Sequence, residues 1–310
     1  MCYTILKNLL GIEQLTKDEI FSMFDSSLII KNEFLIPRKS KNSLQGKTIV
    51  LFFVENSTRT LSSFELAAKR LNATTIRFTT SSSSITKGET LLDTMKVLEA
   101  MKIDGVVMRH SSSCSVKFLS DRCNSVFINA GDGSHEHPTQ ALLDGLTLYE
   151  KWGKNVDSFK GKKIVIIGDI SHSRVARSNI LMLNKLGAQV GICAPPTLIP
   201  MGINNMGVVK LKNINDSIEF ADCLMFLRIQ RERQDGAFFP SLGEYSKYFG
   251  LNKSILHNLK SNQYILHPGP VSLGVELDLE SETSNQSLIL NQVENGVAVR
   301  MSILETLLES

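Results

Sequence analysis

Thr48-Ile49-Val50-Leu51-Phe52-Phe53-Val54, followed two residues later by Ser57-Thr58-Arg59-Thr60, is the stretch that decides the fold. The first seven residues are β-branched or apolar without the alternation of a half-solvated strand. They read as a strand buried on both faces of a parallel sheet. Leu61, Phe64, Ala68 and Leu71 then recur at the spacing of one helix face. The Ser-Thr-Arg-Thr run therefore lies where a strand ends and a helix begins. Backbone N–H groups and the positive end of the helix dipole converge there on an anion. Ser and Thr also cap helices routinely. A cap, however, needs one hydroxyl and gains nothing from Arg59, which the dipole disfavours in a first turn. Three hydroxyls and a guanidinium fit a phosphate cradle better.

The same alternation continues in both directions. Leu15 to Phe24 reads as a short helix, with Thr16 and Glu19 as a capping box. Strands are expected at 74–78, 104–108 and 125–130, with helices at 89–101 and 113–121. Between the first of these strands and its helix lies Thr79 to Gly88, a small polar run that composition alone describes as a mobile loop or linker. Pro138 suits the first turn of a helix reaching Trp152. Asn155 to Lys163, polar and Gly- and Lys-bearing, is the candidate hinge region. A second series follows: strands at 163–169, 189–194, 208–211, 222–227 and 263–266, and a helix at 174–186. The chain closes with a helix from about Ser287 to Leu308, expected to break near Asn295-Gly296. Polar residues gather at successive strand C-termini, where open parallel sheets bind ligands.

The 310 residues are 42% hydrophobic and 21% charged, with a net charge of +3. That is the composition of a globular protein of about two domains. The charge is too small, and the Lys and Arg too scattered, for a nucleic-acid or membrane-surface partner. No apolar run approaches the ~20 residues of a membrane span. The N-terminus lacks a charged region followed by an apolar one, so a cytoplasmic protein is expected. Five cysteines with no C-x-x-C pair argue against disulfides, a zinc site or a redox pair. Cys193 and Cys223 lie in apolar runs and read as buried small side chains.

Ser57-Thr58-Arg59-Thr60, Lys87-Gly88-Glu89-Thr90, Arg109-His110, His137-Pro138-Thr139-Gln140, Arg228-Ile229-Gln230 and His267-Pro268-Gly269-Pro270 occur in this order. The series resembles that of the carbamoyltransferases, and the chain is similar to aspartate carbamoyltransferase catalytic chains as far as Gly296–Met301. The resemblance implies an α/β fold of two doubly wound domains, each with a mainly parallel sheet flanked by helices. It implies an active site in the cleft between them. Residues 1–138 and 290–310 would form the carbamoyl phosphate-binding domain, and 139–289 the aspartate-binding domain. The reaction implied is carbamoyl transfer from carbamoyl phosphate to L-aspartate, a step of pyrimidine biosynthesis, without metal or organic cofactor.

By the same resemblance, Ser57, Thr58, Arg59 and Thr60 would hold the phosphate through amides, hydroxyls and a guanidinium fork. Thr60, Arg109 and His137 would converge on the carbonyl oxygen as an oxyanion hole. Gln140 and the carbonyls of Gly269 and Pro270 would orient the carbamoyl NH₂. Arg174 matches the clamp on the α-carboxylate of aspartate, and Arg228 with Gln230 the clamp on the β-carboxylate. Arg233 and Glu55 match residues that hold this constellation. Ser83 and Lys87 match a loop reaching into a neighbouring subunit's site, so a homotrimer with shared sites is implied. His110, His172 and His257 read as surface or structural, and His267 as shaping its turn.

The Ser-Thr-Arg-Thr and His-Pro-x-Gln elements are shared with the ornithine branch. That branch binds a cation and typically carries His-Cys-Leu-Pro and Ser-Met-Gly, neither of which is present here. The chain departs from the enterobacterial His-Pro-Leu-Pro-Arg at 267–271 and looks more like Bacillus-type members. Those act without regulatory chains, so a regulatory partner is possible but not expected. The absence of G-x-G-x-x-G after the 163–169 strand argues against a nicotinamide dehydrogenase. An ornithine carbamoyltransferase and a non-catalytic paralogue that only binds carbamoyl phosphate are the remaining rivals.

Overall fold

The computed structural model describes residues 6–79, 90–229 and 241–309. Met1–Leu143 with Glu294–Ser310 form one compact unit, and Asp144–Val293 form the other.

In the first unit, α1 (Lys17–Ile30) starts at a complete capping box, Thr16 Oγ1 accepting from Glu19 N while Glu19 accepts from Thr16 N. It runs into a π-helical turn, Lys31–Leu35. Strand and helix then alternate as β1 (Thr48–Phe53), α2 (Thr58–Arg70), β2 (Thr74–Thr79), α3 (Leu91–Ala100) and β3 (Gly105–His110). They continue as α4 (Ser115–Ser120), β4 (Val126–Asp132) and the start of α5 (Pro138–Lys151), which passes into the second unit at Asp144. The four strands are parallel in the order β2-β1-β3-β4. β1 is buried from Ile49 to Phe53, and α2 lays Phe64, Ala67 and Ala68 inside at 0% exposure. Burying a Phe-sized side chain contributes about 1.5–3 kcal/mol, so this contact fixes where α2 begins. Beyond β4, Leu9 bridges Ile128 in parallel, with Leu9 N donating to Phe127 O and Asn129 N to Leu9 O. Nothing in the N-terminal sequence announces this edge.

The second unit holds β5 (Lys163–Ile167), α6 (Arg174–Leu186), β6 (Gln189–Cys193), β7 (Val208–Leu211), α7 (Ile214–Phe220) and β8 (Cys223–Phe226). It continues with α8 (Leu242–Phe249), the short α9 (Lys253–Leu256), β9 (Tyr264–Leu266) and α10 (Leu279–Glu282). Its strands are also all parallel, in the order β7-β6-β5-β8-β9. Cys193 and Cys223 are fully buried, and burial pushes both thiols up, that of Cys193 to about 11. Two α/β units with parallel, helix-flanked sheets are thus what the sequence leads one to expect.

The closing helix differs from expectation. α11 (Ile289–Leu308) runs unbroken through Asn295 and Gly296. Asn295 is fully buried and accepts from Lys31 Nζ at 2.7 Å. A Cβ at Gly296 would stand 2.8 Å from Arg300 Nη1 and 3.2 Å from Leu143 Cδ2. The glycine answers to a close neighbour, not to a turn. Among the described residues, no helix is long and apolar enough to cross a membrane.

Candidate active site

A strand order of β2-β1-β3-β4 reverses direction between β1 and β3. Ligands bind at such a switch point, outside the strand C-termini. Ser57–Thr60 follow β1, and Arg109 and His110 end β3, on the two sides of that point. Ser57 is the N-cap residue of α2, yet its side chain makes no capping bond, and no acid occupies the first turn. Its Oγ donates instead to Thr60 Oγ1 at 3.0 Å. Thr58 and Arg59 are exposed, and Thr60 is buried. A helix start without an acid leaves its positive end to an external anion.

Arg109 donates through Nη2 to Glu55 Oε1 at 2.8 Å and through Nη1 to Ala130 O at 3.2 Å. Both side chains are largely buried, so the pair fixes the guanidinium at the ends of β1, β3 and β4. His110 is half-buried and accepts from Ser112 N at 2.8 Å. Burial is the largest influence on it and holds its pKa below the ordinary histidine value.

His137 is 4% exposed and stands immediately before the first residue of α5. The loop leading to it is held from two sides. Asp132 accepts from Cys114 N at 2.6 Å, Asn129 Nδ2 at 2.8 Å and Glu136 N at 3.1 Å. Glu136 in turn accepts from Ile12 N at 2.8 Å and Glu13 N at 3.4 Å. Both acids are 1% exposed. Thr139 Oγ1 lies 3.5 Å from His137 Nδ1, and Gln140, also buried, donates its backbone N–H to His137 O. Sequence reading singles out neither Asp132 nor Glu136. Their signal is an acid in an otherwise apolar or Gly-rich run, which must find donors if buried.

Cys114, Asp132 and His135 also bring one ligand atom each within 4.8 Å. Asp132 already spends its oxygens on the donors above and on His135 Nδ1 at 3.1 Å, which makes it a structural acceptor.

In the second unit the order β7-β6-β5-β8-β9 switches between β5 and β8. Gly168, just past β5, has φ +129°, and a Cβ there would meet Leu227 O at 2.9 Å. Only glycine lets the two strand ends stay this close. Arg174 is the first residue of α6, 3% exposed, behind a Ser173 cap that accepts from Ala176 N at 3.1 Å. An arginine in a first turn again opposes the dipole. Arg228 follows β8 and is half-buried. The next residue, Ile229, donates to Glu276 Oε1 at 2.8 Å, and Ser272 N donates to Glu276 Oε2 at 2.7 Å. Glu276 is fully buried, and burial pushes its pKa up.

The turn after β9 is built on His267. Its Nδ1 accepts from Gly269 N at 2.8 Å, and its own N–H donates to Gln292 Oε1 at 2.9 Å. Gly269-Pro270 is a cis peptide. Ser83, Lys87, Gln230 and Arg233 lie outside the described residues.

The first unit thus carries Ser57, Thr58, Arg59, Thr60, Arg109, His137 and Gln140, and the second Arg174, Arg228, Gly269 and Pro270. Each unit of this α/β protein places candidate anion-binding residues after the C-termini of its parallel strands. Residues 7–150 match the aspartate/ornithine carbamoyltransferase carbamoyl-phosphate-binding domain, and residues 160–307 the aspartate/ornithine-binding domain of the same family. The chain belongs to the aspartate/ornithine carbamoyltransferase family. An aspartate carbamoyltransferase catalytic subunit of Flavobacterium psychrophilum is 50% identical over 96% of both chains. One of Syntrophotalea carbinolica is 48% identical over 96% of this chain and 94% of its own. Among solved structures, Trypanosoma cruzi aspartate transcarbamoylase with N-(phosphonacetyl)-L-aspartic acid aligns with a TM-score of 0.87 at 28% identity. That alignment covers 97% of this chain and 96% of the other. The catalytic subunit of M. jannaschii aspartate transcarbamoylase gives 0.84 at 32% identity, covering 98% of each.

Proposed function

We propose that the chain transfers the carbamoyl group of carbamoyl phosphate to the amino group of L-aspartate, giving N-carbamoyl-L-aspartate and phosphate. The observation that carries this is the acid-free α2 start beside the Glu55-braced Arg109, an anion cradle and an oxyanion donor at one switch point. Ser57, Thr58, Arg59 and Thr60 hold the phosphate, each charge-assisted bond contributing roughly 1.5–3 kcal/mol. Thr60, Arg109 and His137 stabilise the oxyanion that forms when the aspartate amine attacks the carbonyl carbon. The new C–N bond forms, the C–O bond to phosphate breaks, and the departing phosphate accepts the amine proton. Gln140, Gly269 and Pro270 orient the carbamoyl NH₂. Arg174 and Arg228, with Gln230, bind the two carboxylates and repel a cationic acceptor such as ornithine. Ser83 and Lys87 come from a neighbouring subunit of a cytoplasmic homotrimer, and the product enters pyrimidine synthesis.

Support for aspartate over ornithine comes from the arginines at the β5/β8 switch and from the names of the relatives near 50% identity. Phosphate release with carbamoyl phosphate and either amino acid tests it. Turnover with aspartate alone is expected. Turnover with ornithine alone would reassign the acceptor, and turnover with neither would leave a binding protein.

A further inference from the structure

Behind the His267–Pro270 turn lies a buried chain of hydrogen bonds whose polarity is set by one carboxylate. Asp144, on α5, is fully buried. Its Oδ1 accepts from Gln292 Nε2 at 2.7 Å and its Oδ2 from Asn179 Nδ2 at 2.8 Å. Gln292, on α11 and 2% exposed, turns its Oε1 to His267 N at 2.9 Å. His267 Nδ1 then accepts from Gly269 N at 2.8 Å. All of these residues belong to the second unit.

An ionised carboxylate is acceptor-only, whereas an amide carries an acceptor on one side and donors on the other. Asp144 therefore admits only the NH₂ side of Gln292. The amide oxygen must then face His267 N–H, and the His267 backbone is pinned with Gly269 tied to its ring. Were Gln292 to turn over, its NH₂ would confront the His267 N–H and leave a buried donor unmet.

We propose that Asp144 and Gln292 are positioning residues for carbamoyl recognition, orienting the Gly269 and Pro270 carbonyls that receive the carbamoyl NH₂. The inference rests on the reading of that turn given above. It predicts a defect felt by carbamoyl phosphate and not by inorganic phosphate, which has no NH₂ and uses the cradle of the first unit.

The test compares Asp144→Asn, the double variant Asp144→Asn/Gln292→Glu, and Pro270→Ala. Asp144→Asn is isosteric, but the amide it introduces offers a donor as well as an acceptor, so Gln292 is no longer held one way round. In the double variant the carboxylate moves to position 292. There it accepts from the new amide at position 144 on one side and from His267 N–H on the other, while that amide's oxygen still accepts from Asn179. The network is rebuilt with the charge moved from one partner to the other. Asp144→Asn is expected to raise KM for carbamoyl phosphate about tenfold, with the inhibition constant of inorganic phosphate changed less than about twofold. The double variant is expected to return KM to within about threefold of the parent. Thermal melts run in parallel read out stability separately. If Pro270→Ala raises KM for carbamoyl phosphate but Asp144→Asn lowers only the melting temperature, the positioning role is overturned while the turn's role stands. If acetyl phosphate, which carries a methyl in place of the NH₂, binds the parent as tightly as carbamoyl phosphate does, the turn does not receive the NH₂ and both fall. A double variant no better than Asp144→Asn would equally overturn the polarity argument.

Discussion

Ser57 Oγ occupies an acceptor site on Thr60, whose own proton is therefore left to donate. Thr60→Val keeps the side chain's shape and removes that donor. Initial-rate kinetics should show kcat reduced about 10²–10³-fold, the usual cost of losing one oxyanion donor. Ser57→Ala should cost about tenfold or less. If Ser57 holds the phosphate through its backbone N–H and its hydroxyl serves only Thr60, the double variant should be no worse than Thr60→Val alone. An additive loss would mean two independent contacts. At this scale the arginines are legible in the sequence. Arg59 and Arg174 stand in first turns where the dipole opposes them, and Arg109 and Arg228 end apolar strands. Asp144, Glu276 and Gln292 are not legible. Each is a single polar residue among apolar or mixed neighbours, and Asp144 meets Gln292 from 148 positions away.

Elements place these residues, and two of their joints make measurable claims. Glu99, at the end of α3, accepts from Asn124 N at 2.6 Å, Ser125 N at 2.7 Å and Ser125 Oγ at 2.9 Å. It thereby sets where β4 starts. Burial alone would raise its pKa, but these donors outweigh it and hold the carboxyl below the ordinary glutamate value. A depressed folded-state pKa gives stability that is present above the unfolded value near about 4.3 and lost as pH falls through the folded one. Glu99→Gln should therefore lower stability by about 1 kcal/mol at pH 7. In denaturant titrations that gap to the parent should close as pH falls below about 4. A gap constant with pH would refute the charge's role. At Gly296, alanine gains about 1 kcal/mol of helix propensity. The new Cβ, however, presses on Arg300, which is 4% exposed, bonded to Ser63 Oγ at 2.6 Å and stacked 5.0 Å from the Phe64 ring. Overpacking costs about 1–3 kcal/mol. Gly296→Ala should thus lower the melting temperature, and a rise would show that Arg300 gives way freely. The same glycine misleads a reading of the sequence, because a Gly in a helical pattern is also the commonest sign of an end. The strands fare better, since seven consecutive apolar or β-branched residues have few other uses.

Over the whole chain, alternating strands and helices make the two α/β series readable. The proposed sharing of sites between subunits concerns Ser83 and Lys87, and its test is functional. Lys87→Gln and His137→Ala chains should each be inactive, and mixtures allowed to exchange subunits should recover part of the activity. Mixtures that stay inactive after verified exchange would rule out sharing of sites. The first unit, meanwhile, is finished by the last stretch of chain, Glu294–Ser310, after all of Asp144–Val293 has been made. Those final residues include Ile303, Leu304, Leu307 and Leu308, all buried, and a Cβ on Gly105 would touch Leu308 at 3.1 Å. On the ribosome, then, the half that is translated first should be the half that matures last. The inserted unit can reach protease resistance in a chain truncated after Val293. The proposed anion cradle at Ser57–Thr60, though synthesised early, should stay cleavable until Leu308 has left the ribosome.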